Sequence, residues 1–213
     1  IIFIMFTKDE KKKDIGGIFL GFAILMYGME AMSGAVAPLA DNEKFTGILT
    51  MFSNPILGLL AGTILTAVIQ SSSASVGILQ ALCATGAVNF STALPIIMGQ
   101  NIGTCVTAII SSIGTSKNAK RAAAVHLFFN ISGTVIFMVV FYTLNTFVHF
   151  SFLNTAASPA GIAVIHSLFN IGATILLFPF ANLLEKMAIL AIPDKGSEVE
   201  EMEEEKINPD LAR

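Results

Sequence analysis

The chain of 213 residues is 54% hydrophobic and 13% charged, and its net charge at pH 7 is −3. Soluble domains carry about 25% charged residues, and here residues 45–116 contain no charged residue or histidine, while residues 122–184 contain three histidines and no charge. A spanning helix needs about 20 apolar residues, so these stretches exclude a soluble core and predict an all-α integral membrane protein in the lipid bilayer. No pattern points to nucleic acid as a partner.

The chain begins with a short apolar segment that is followed by a short charged one. Residues 1–14 combine the apolar start IIFIMF with the charged run TKDEKKKD, and we expect the end of a preceding span and a cytoplasmic connector. Residues 15 to about 39 are apolar and rich in glycine, as membrane helices tolerate, and form the first predicted span of the membrane unit. Residues 38–55 begin with three charges and predict a loop with a short amphipathic interfacial helix.

The next segment, residues 55–90, is apolar but is interrupted by the polar run QSSSAS at residues 70–75. Consecutive serines compete with the backbone for hydrogen bonds and disfavour a helix interior. The apolar halves on either side of the run are short for a spanning helix, and their length suits a re-entrant element better. The sequence therefore predicts a helical hairpin that enters the membrane, turns at the serines and returns.

A second interrupted segment is predicted over residues 91–114. It contains Pro95 and, near its middle, the run GQNIGT. Glycines free the backbone to leave the helix, and Gln100, Asn101 and Thr104 place polar side chains at the same point. We therefore expect a broken helix.

Two further spans are predicted at residues 122–144 and 161–184. They contain the similar motifs VHLFFNISGT and IHSLFNIGAT, so two related helices are expected rather than two domains. The polar residues occupy equivalent positions in the two motifs and are expected to make interhelical hydrogen bonds: His126 and Asn130, and His166 and Asn170. Cys83 and Cys105 lie in apolar segments and are interpreted as buried residues rather than a disulfide or a metal pair.

The membrane unit thus covers residues 15–188, and residues 189–213 form an acidic linker. If the first basic connector is cytoplasmic, the predicted spans place nearly all lysines and arginines, and the linker, on the same side, which agrees with the positive-inside rule. In this orientation, only Lys44 lies on the outer side of the membrane. We expect a multi-pass protein of the cytoplasmic membrane, although two full spans in place of the hairpin would give the same orientation.

The two interrupted segments indicate a solute-binding site. Irregular backbone at membrane depth is tolerated only inside protein or beside a water-filled cavity, and paired discontinuous helices mark transporter binding sites. Half-helix N-termini favour an anion, whereas carbonyl and side-chain oxygens can bind a small cation such as sodium. Neither segment contains a charged residue, so a cation bound together with the anion would supply the missing charge, and cation-coupled anion symport is favoured.

Other functions remain open at this point. A non-transporting membrane scaffold would use serine and threonine to hold helices together, and a transporter or channel for another small anion would use the same neutral groups. An intramembrane serine protease is disfavoured, because no G-x-S-x-G motif occurs and no acidic residue lies near His126 or His166. We expect that the protein is not an enzyme.

The segments NPILGLLAGTILTAVIQSSSASVGILQAL and LPIIMGQNIGTCVTAIISSIG closely resemble the sodium-dependent phosphate cotransporter family, the type II proteins and their bacterial relatives. The resemblance extends from about residue 16 to residue 193. It implies an inverted-repeat secondary transporter with two repeats, each with a QSSS hairpin and a broken helix. This chain contains one QSSS run, so it resembles the second repeat, with the first expected upstream of Ile1.

The resemblance also implies roles for individual residues in sodium-coupled import of inorganic phosphate by alternating access. The residues expected to bind phosphate are Ser71, Ser72, Ser73, Asn101, Thr104 and Thr107. Those expected to bind sodium are Gln70, Ser71, Gln100 and Asn101. The implied partners are phosphate, Na⁺ as the coupling ion without any other cofactor, the missing repeat or a second copy of the chain, and a PhoU-like regulatory domain after the linker.

Overall fold

The computed structural model describes residues 2–39 and 41–193, where the regular secondary structure is helical apart from one isolated bridge between Asn89 and Ala156. Nine α-helices occur in these residues: α1 (Ile2–Phe6), α2 (Glu10–Val36), α3 (Glu43–Met51), α4 (Pro55–Ile69), α5 (Ser72–Ala84), α6 (Phe90–Ser111), α7 (Lys117–Val148), α8 (Pro159–Leu177) and α9 (Ala181–Ala191). Most of the predicted acidic linker, residues 194–213, lies outside the described residues.

Four helical segments are long and apolar enough to cross a membrane: Glu10–Ala35, Phe90–Ser111, Lys117–Val148 and Pro159–Ala191. This composition confirms the prediction of an all-α membrane protein. A short helix, α3, is present where the sequence predicts one, and its position at the membrane interface stays a prediction. The predicted burial of Cys83 and Cys105 is also confirmed, and both thiols are free.

The helical hairpin begins and turns where local sequence signals place it. Asn54 caps α4, because its Oδ1 accepts hydrogen bonds from the backbone N–H groups of Ile56 and Leu57, and Pro55 occupies the first turn. A proline is tolerated there because its missing N–H would have no partner in the helix. The turn is sharper than predicted: α4 ends at Ile69, Gln70 caps it, and Ser72 is already the first residue of α5.

The predicted break in the following segment is wrong, because α6 is one continuous helix over Phe90–Ser111. Two of the three polar side chains at the predicted break bond within the helix and do not replace its backbone bonds. Asn101 Nδ2 donates to Ile97 O at 2.9 Å, and Thr104 Oγ1 donates to Gln100 O at 2.8 Å. Each of these bonds reaches back four residues, which leaves the helix intact.

The glycines of α6 provide close packing rather than a bend. A Cβ on Gly99 would overlap the carbonyl oxygen of Leu59, and one on Gly62 would overlap that of Ile96. Glycine at these positions therefore lets the backbones of α4 and α6 touch, as small residues do in membrane helix pairs. Every residue from Thr92 to Asn101 is buried, so α6 is the central helix of the described fold.

The later helices enclose α6. The hydroxyl of Thr134 on α7 donates to Met98 O at 3.4 Å, and Phe137 and Phe169 stack edge to face between α7 and α8 with ring centroids 5.0 Å apart. In the first of the two related motifs an interhelical bond is present, since Cys105 Sγ on α6 donates to His126 O on α7 at 3.6 Å, and the amides of both motifs also bond within their own helices. Asn130 Nδ2 donates to His126 O, and Asn170 Nδ2 to His166 O.

Several predicted boundaries shift in the structure. The span expected at 161–184 is divided into α8, a 3₁₀ turn Phe178–Phe180 and α9, because Pro179 cannot donate a helical hydrogen bond. The span expected at 122–144 is longer and corresponds to α7. The first span begins five residues early, since Asp9 caps α2 by accepting from Lys11 N.

Candidate functional site

The turn between α4 and α5 has an uncommon backbone conformation. Gln70 lies in the left-handed region with φ 57° and ψ 22°, which is costly for a residue other than glycine. Its N–H donates to Thr66 O at 2.8 Å and closes α4. Ser71 then caps α5, because its hydroxyl accepts from Ala74 N at 3.3 Å. Gln70 and Ser71 are therefore the two residues that join α4 to α5 and reverse the direction of the chain.

The serines of the tip are accessible. Ser72 and Ser73 are exposed at the first turn of α5, where unpaired N–H groups and the positive end of the helix dipole favour an anion. The hydroxyls of Ser71 and Ser73 lie 3.3 Å apart. The tip therefore offers a cluster of hydroxyl groups and backbone donors without any formal charge.

A cavity of about 590 Å³ lies beside these serines. Its lining combines apolar residues of α2 with the polar start of α5 and one residue of α8. The polar residues in the lining are Ser72, Ser73, Gln80 and His166. Gln80 is fixed by a hydrogen bond from its Nε2 to Pro159 O at 3.0 Å. The cavity is large enough for a small hydrated anion, and the serines form one of its walls.

A chain of three polar side chains connects the hairpin to α6. Thr66 Oγ1 and Ser75 Oγ lie 2.7 Å apart, and Gln100 Nε2 donates to Ser75 Oγ at 2.9 Å and to Ser75 O at 3.0 Å. All three residues are buried. The chain fixes both arms of the hairpin, one turn from the tip, against the middle of α6.

Gln100 retains one unused acceptor. The residue is only 1% exposed, and its Oε1 has no hydrogen-bond partner among the residues that the structure describes. A buried amide oxygen without a donor costs about 1–3 kcal/mol, which a bound cation or water would offset. Gln100 is therefore the residue of α6 whose side chain both contacts the hairpin and offers a free oxygen.

The other site residues predicted on α6 are held by their own helix. Asn101 is buried and bonds to Ile97 O, Thr104 bonds to Gln100 O, and Thr107 Oγ1 donates to Thr104 O at 2.9 Å. Thr104 lies one turn beyond Gln100 on the same side of the helix. The structure thus brings Gln100 against the hairpin, and Thr104 lies one turn from Gln100. The hydrogen bonds of Thr104, Asn101 and Thr107 all stay within α6.

Sequence reasoning missed two members of this arrangement, Thr66 and Ser75. Ser75 belongs to the serine run but faces the interior, since it is 0% exposed. Thr66 lies nine residues earlier in an apolar segment and carries no motif. The spacing is a signal that could have identified Thr66. It precedes Gln70 by four residues, so the two side chains lie on the same face of α4.

Comparison with known proteins connects this geometry to a family. The profile described as Na⁺/Pi-cotransporter matches residues 24–166, which include the hairpin, α6 and α7. YqeW of Bacillus subtilis is 31% identical over 185 residues, which cover 86% of this chain and 59% of that protein.

Two further relatives have names that refer to phosphate. YjbB of Escherichia coli strain K12, named as a candidate inorganic phosphate export protein, is 24% identical over 92% of this chain and 36% of its own length. Sodium-dependent phosphate transport protein 2A of Rattus norvegicus is 39% identical over 50% of this chain and 17% of its own length. The chain spans less than two thirds of the length of these relatives. No solved structure matches it.

Proposed function

Since the chain belongs to the Na⁺/Pi-cotransporter family, we propose that it contributes half of a binding site for sodium-coupled symport of inorganic phosphate by alternating access. The family is one of transporters rather than enzymes. The proposed location is the cytoplasmic membrane, where four helical segments of the described residues have the length and apolarity to span.

The observation that carries the proposal is the exposed, uncharged start of α5. Ser71, Ser72 and Ser73 present hydroxyls next to the free N–H groups of that helix, and such a terminus binds phosphate oxygens without a basic residue. A neutral cradle releases a charged solute more easily than a cluster of arginines would. Thr104, together with Asn101 and Thr107 on α6, completes the proposed phosphate side.

Sodium is proposed to bind at the oxygen atoms between the hairpin and α6. Gln100 Oε1 is a buried acceptor without a donor, and Gln70, Ser71 and Asn101 supply further amide, hydroxyl and carbonyl oxygens. Oxygen ligands suit a hard cation. A sodium ion there would also compensate the charge of phosphate, which links the binding of the two ions.

The hairpin is proposed to be re-entrant. The 15 residues of α4 and the 13 of α5 measure about 22 and 20 Å at 1.5 Å per residue, and both fall short of the roughly 30 Å hydrocarbon core. The tip would then lie inside the membrane, where the accessible serines need a water-filled cavity. The cavity beside Ser72 and Ser73 is proposed to be that water-filled space.

The other half of the site is proposed to come from a first repeat of the same protein or from a second copy of the chain. A PhoU-like domain after the linker remains a proposed partner. The direction of transport is proposed to follow the sodium and phosphate gradients, so the mechanism accommodates both relatives, one named for sodium-dependent transport and the other for export.

The decisive experiment measures labelled phosphate in proteoliposomes that contain the full-length protein. We expect uptake under an inward sodium gradient and at least a tenfold lower rate when choline replaces sodium. Loading the vesicles with phosphate and reversing the sodium gradient should give efflux. Uptake that is indifferent to sodium would contradict symport and favour a channel, and no uptake at all would favour a scaffold.

Matched variants test the assigned residues in the same assay. Ser72→Ala and Thr104→Ala should lower uptake at least tenfold. Thr174→Ala is the control, because the Thr174 hydroxyl makes the same bond to the carbonyl four residues earlier, also at 2.8 Å, but is exposed on α8 away from the site. Equal uptake by Thr104→Ala and Thr174→Ala would remove Thr104 from the site.

A further inference from the structure

A second cavity lies at the opposite end of α6 from its first turn, far along the chain from the serines. It has a volume of about 410 Å³ and is bounded by the end of α6, the start of α7 and the residue that follows α9. Its lining is amphipathic. Lys120 and Ser112 are polar, and apart from Gly114 the remaining residues are apolar: Ile109, Ile113, Ala123, Ala124, Leu127 and Ile192. Nothing in the proposed phosphate site uses this cavity.

One basic side chain, Lys120, lines the cavity, and two more lie nearby in the sequence of α7. Lys117, Lys120 and Arg121 all fall within the first five residues of α7, and the first turn of that helix contains no acidic residue. Helix N-termini already carry a partial positive charge, which disfavours cations and favours anions. Lys120 and the start of α7 together favour an anionic ligand in the cavity.

Two carbonyl groups at the end of α6 accept hydrogen bonds from neighbouring hydroxyls. Ser112 Oγ donates to Ile109 O at 2.7 Å, and Thr115 Oγ1 donates to Ser112 O at 2.7 Å. Lys120 is half-buried and makes no ion pair with any residue in the described part of the chain. Its ammonium group is therefore available to a ligand in the cavity.

The opposite wall is apolar and opens towards the surface of the helix bundle. Ile113, which lines the cavity, is 73% exposed, and Ile110, in the last turn of α6 outside the lining, is 47% exposed. Helix α6 is long and apolar enough to span the membrane. Such isoleucine side chains suit the first methylene groups of an acyl chain, whereas a free inorganic anion would gain nothing from them. Basic pockets between spanning helices near the membrane surface are suited to phospholipid headgroups.

Hydrogen bonds of Arg121 hold one wall of the cavity in place. Arg121 Nε donates to Ile192 O at 3.0 Å and Arg121 Nη1 contacts Asn118 Oδ1 at 3.5 Å. The first of these bonds connects α7 to the end of α9 and holds Ile192 in the lining. A ligand in the cavity would therefore contact three separate elements.

We propose that this cavity, defined by Lys120, Ser112, Ile113 and Ile192, binds the headgroup of an anionic phospholipid. The phosphate of the lipid contacts Lys120 and the start of α7, and its acyl chains lie against the exposed isoleucines at the end of α6. The bound lipid would connect α6, α7 and α9 at the membrane surface.

Native mass spectrometry of the full-length protein tests the proposal. The protein is titrated with phosphatidylglycerol, with phosphatidylcholine and, separately, with inorganic phosphate. We expect retained phosphatidylglycerol adducts and few phosphatidylcholine adducts. Inorganic phosphate should not displace the lipid, because it lacks the apolar contacts with Ile113. Equal retention of the two lipids, or displacement of the lipid by inorganic phosphate, would overturn the proposal.

The variant Lys120→Gln should bind phosphatidylglycerol about fivefold more weakly, as expected from about 1 kcal/mol per lysine near anionic lipid. Lys186→Gln is the matched control, since it removes the same charge from an exposed position on α9 outside the lining. Equal binding by the two variants would refute the assignment. Lys120→Arg keeps the charge and should bind as the unmodified protein does, which separates loss of binding from loss of folding.

A final comparison concerns the acidic residues 198–205 of the chain itself. Their deletion should leave lipid retention unchanged within twofold. If phosphatidylglycerol binds only after the deletion, the acidic segment rather than lipid is the ligand of this cavity, and the proposal fails.

Discussion

At the scale of single residues, Gln70 has a structural and a proposed functional role that can be separated. Its backbone lies in the left-handed region, and its amide is proposed to bind sodium. The left-handed conformation costs a residue with a Cβ roughly 1–2 kcal/mol. A turn that had only a structural role would therefore normally contain a residue without this cost. Glycine is the usual choice there.

The variant Gln70→Gly follows from that argument. We expect its unfolding temperature in detergent to be unchanged or raised, because glycine relieves the backbone conformation, while sodium-dependent uptake falls at least tenfold. Gln70→Ala keeps the strained backbone and removes the amide, so it should lose uptake and be slightly less stable. Normal uptake by Gln70→Gly would show that the amide has no role in transport.

Gln100 illustrates what residue-scale reasoning from the sequence could and could not reach. The sequence placed Gln100 in a predicted break and, by resemblance, among the sodium ligands, and the structure shows its amide nitrogen bonded to Ser75. The bonded partner could not be predicted, because 25 residues separate the two and only the packing of the hairpin on α6 brings them together. The same is true of Thr66.

At the scale of secondary-structure elements, the α4–α6 pair forms the rigid support of the site. The two helices pack so closely that Gly62 and Gly99 have no room for a Cβ. Their close approach sets the position of Gln100 relative to Ser75, and therefore the geometry of the proposed sodium ligands.

Substitution at Gly99 should be costly in proportion to that contact. Gly99→Ala forces the backbones of α4 and α6 apart, and overpacking of this kind costs roughly 1–3 kcal/mol or more. A lower unfolding temperature and reduced uptake are expected. Gly21→Ala is the control on α2, where nothing lies within 4 Å of the added methyl group and helix propensity alone favours alanine by about 1 kcal/mol. Similar unfolding temperatures for the two variants would contradict the close-packing role.

The interpretation of GQNIGT as a break failed at this scale for a physical reason. Glycine and polar side chains in an apolar helix are compatible with an unwound segment and with a tightly packed straight one. Which of the two forms depends on whether another backbone approaches, and here α4 does. The QSSS run was decided locally instead, because Ser71 caps the next helix from within the run.

At the scale of the whole molecule, the proposed re-entrant hairpin makes a prediction about accessibility. Cysteines placed at Ser53 and Ala84, near the two ends of the hairpin, should react with a membrane-impermeant reagent from one face of the membrane. A cysteine at Asn118 should react from the other face. The two native cysteines are 3% and 0% exposed, so they contribute little background labelling.

The tip distinguishes a re-entrant hairpin from two complete spans. Ser73→Cys should react, and sodium and phosphate together should slow its reaction at least fivefold, because the tip lies in the solute pathway. Sodium alone, with phosphate omitted, provides the comparison. If Ser73→Cys reacts only from the Asn118 face and sodium plus phosphate give no protection, the hairpin crosses the membrane completely.

The sequence by itself determined that this is an all-α membrane protein of the Na⁺/Pi-cotransporter family with a turn at the serine run. The helical membrane character and the turn depend on local composition, helix caps and the length of uncharged stretches, whereas the family was identified by the resemblance of the QSSS and GQNIGT segments. Only the tertiary structure decided that α6 is continuous, that Gln100 meets Ser75 and Thr66, and that Lys120 lies beside an amphipathic cavity. Such contacts join residues far apart in the chain, and the packing of whole helices determines them through close backbone approach at Gly62 and Gly99.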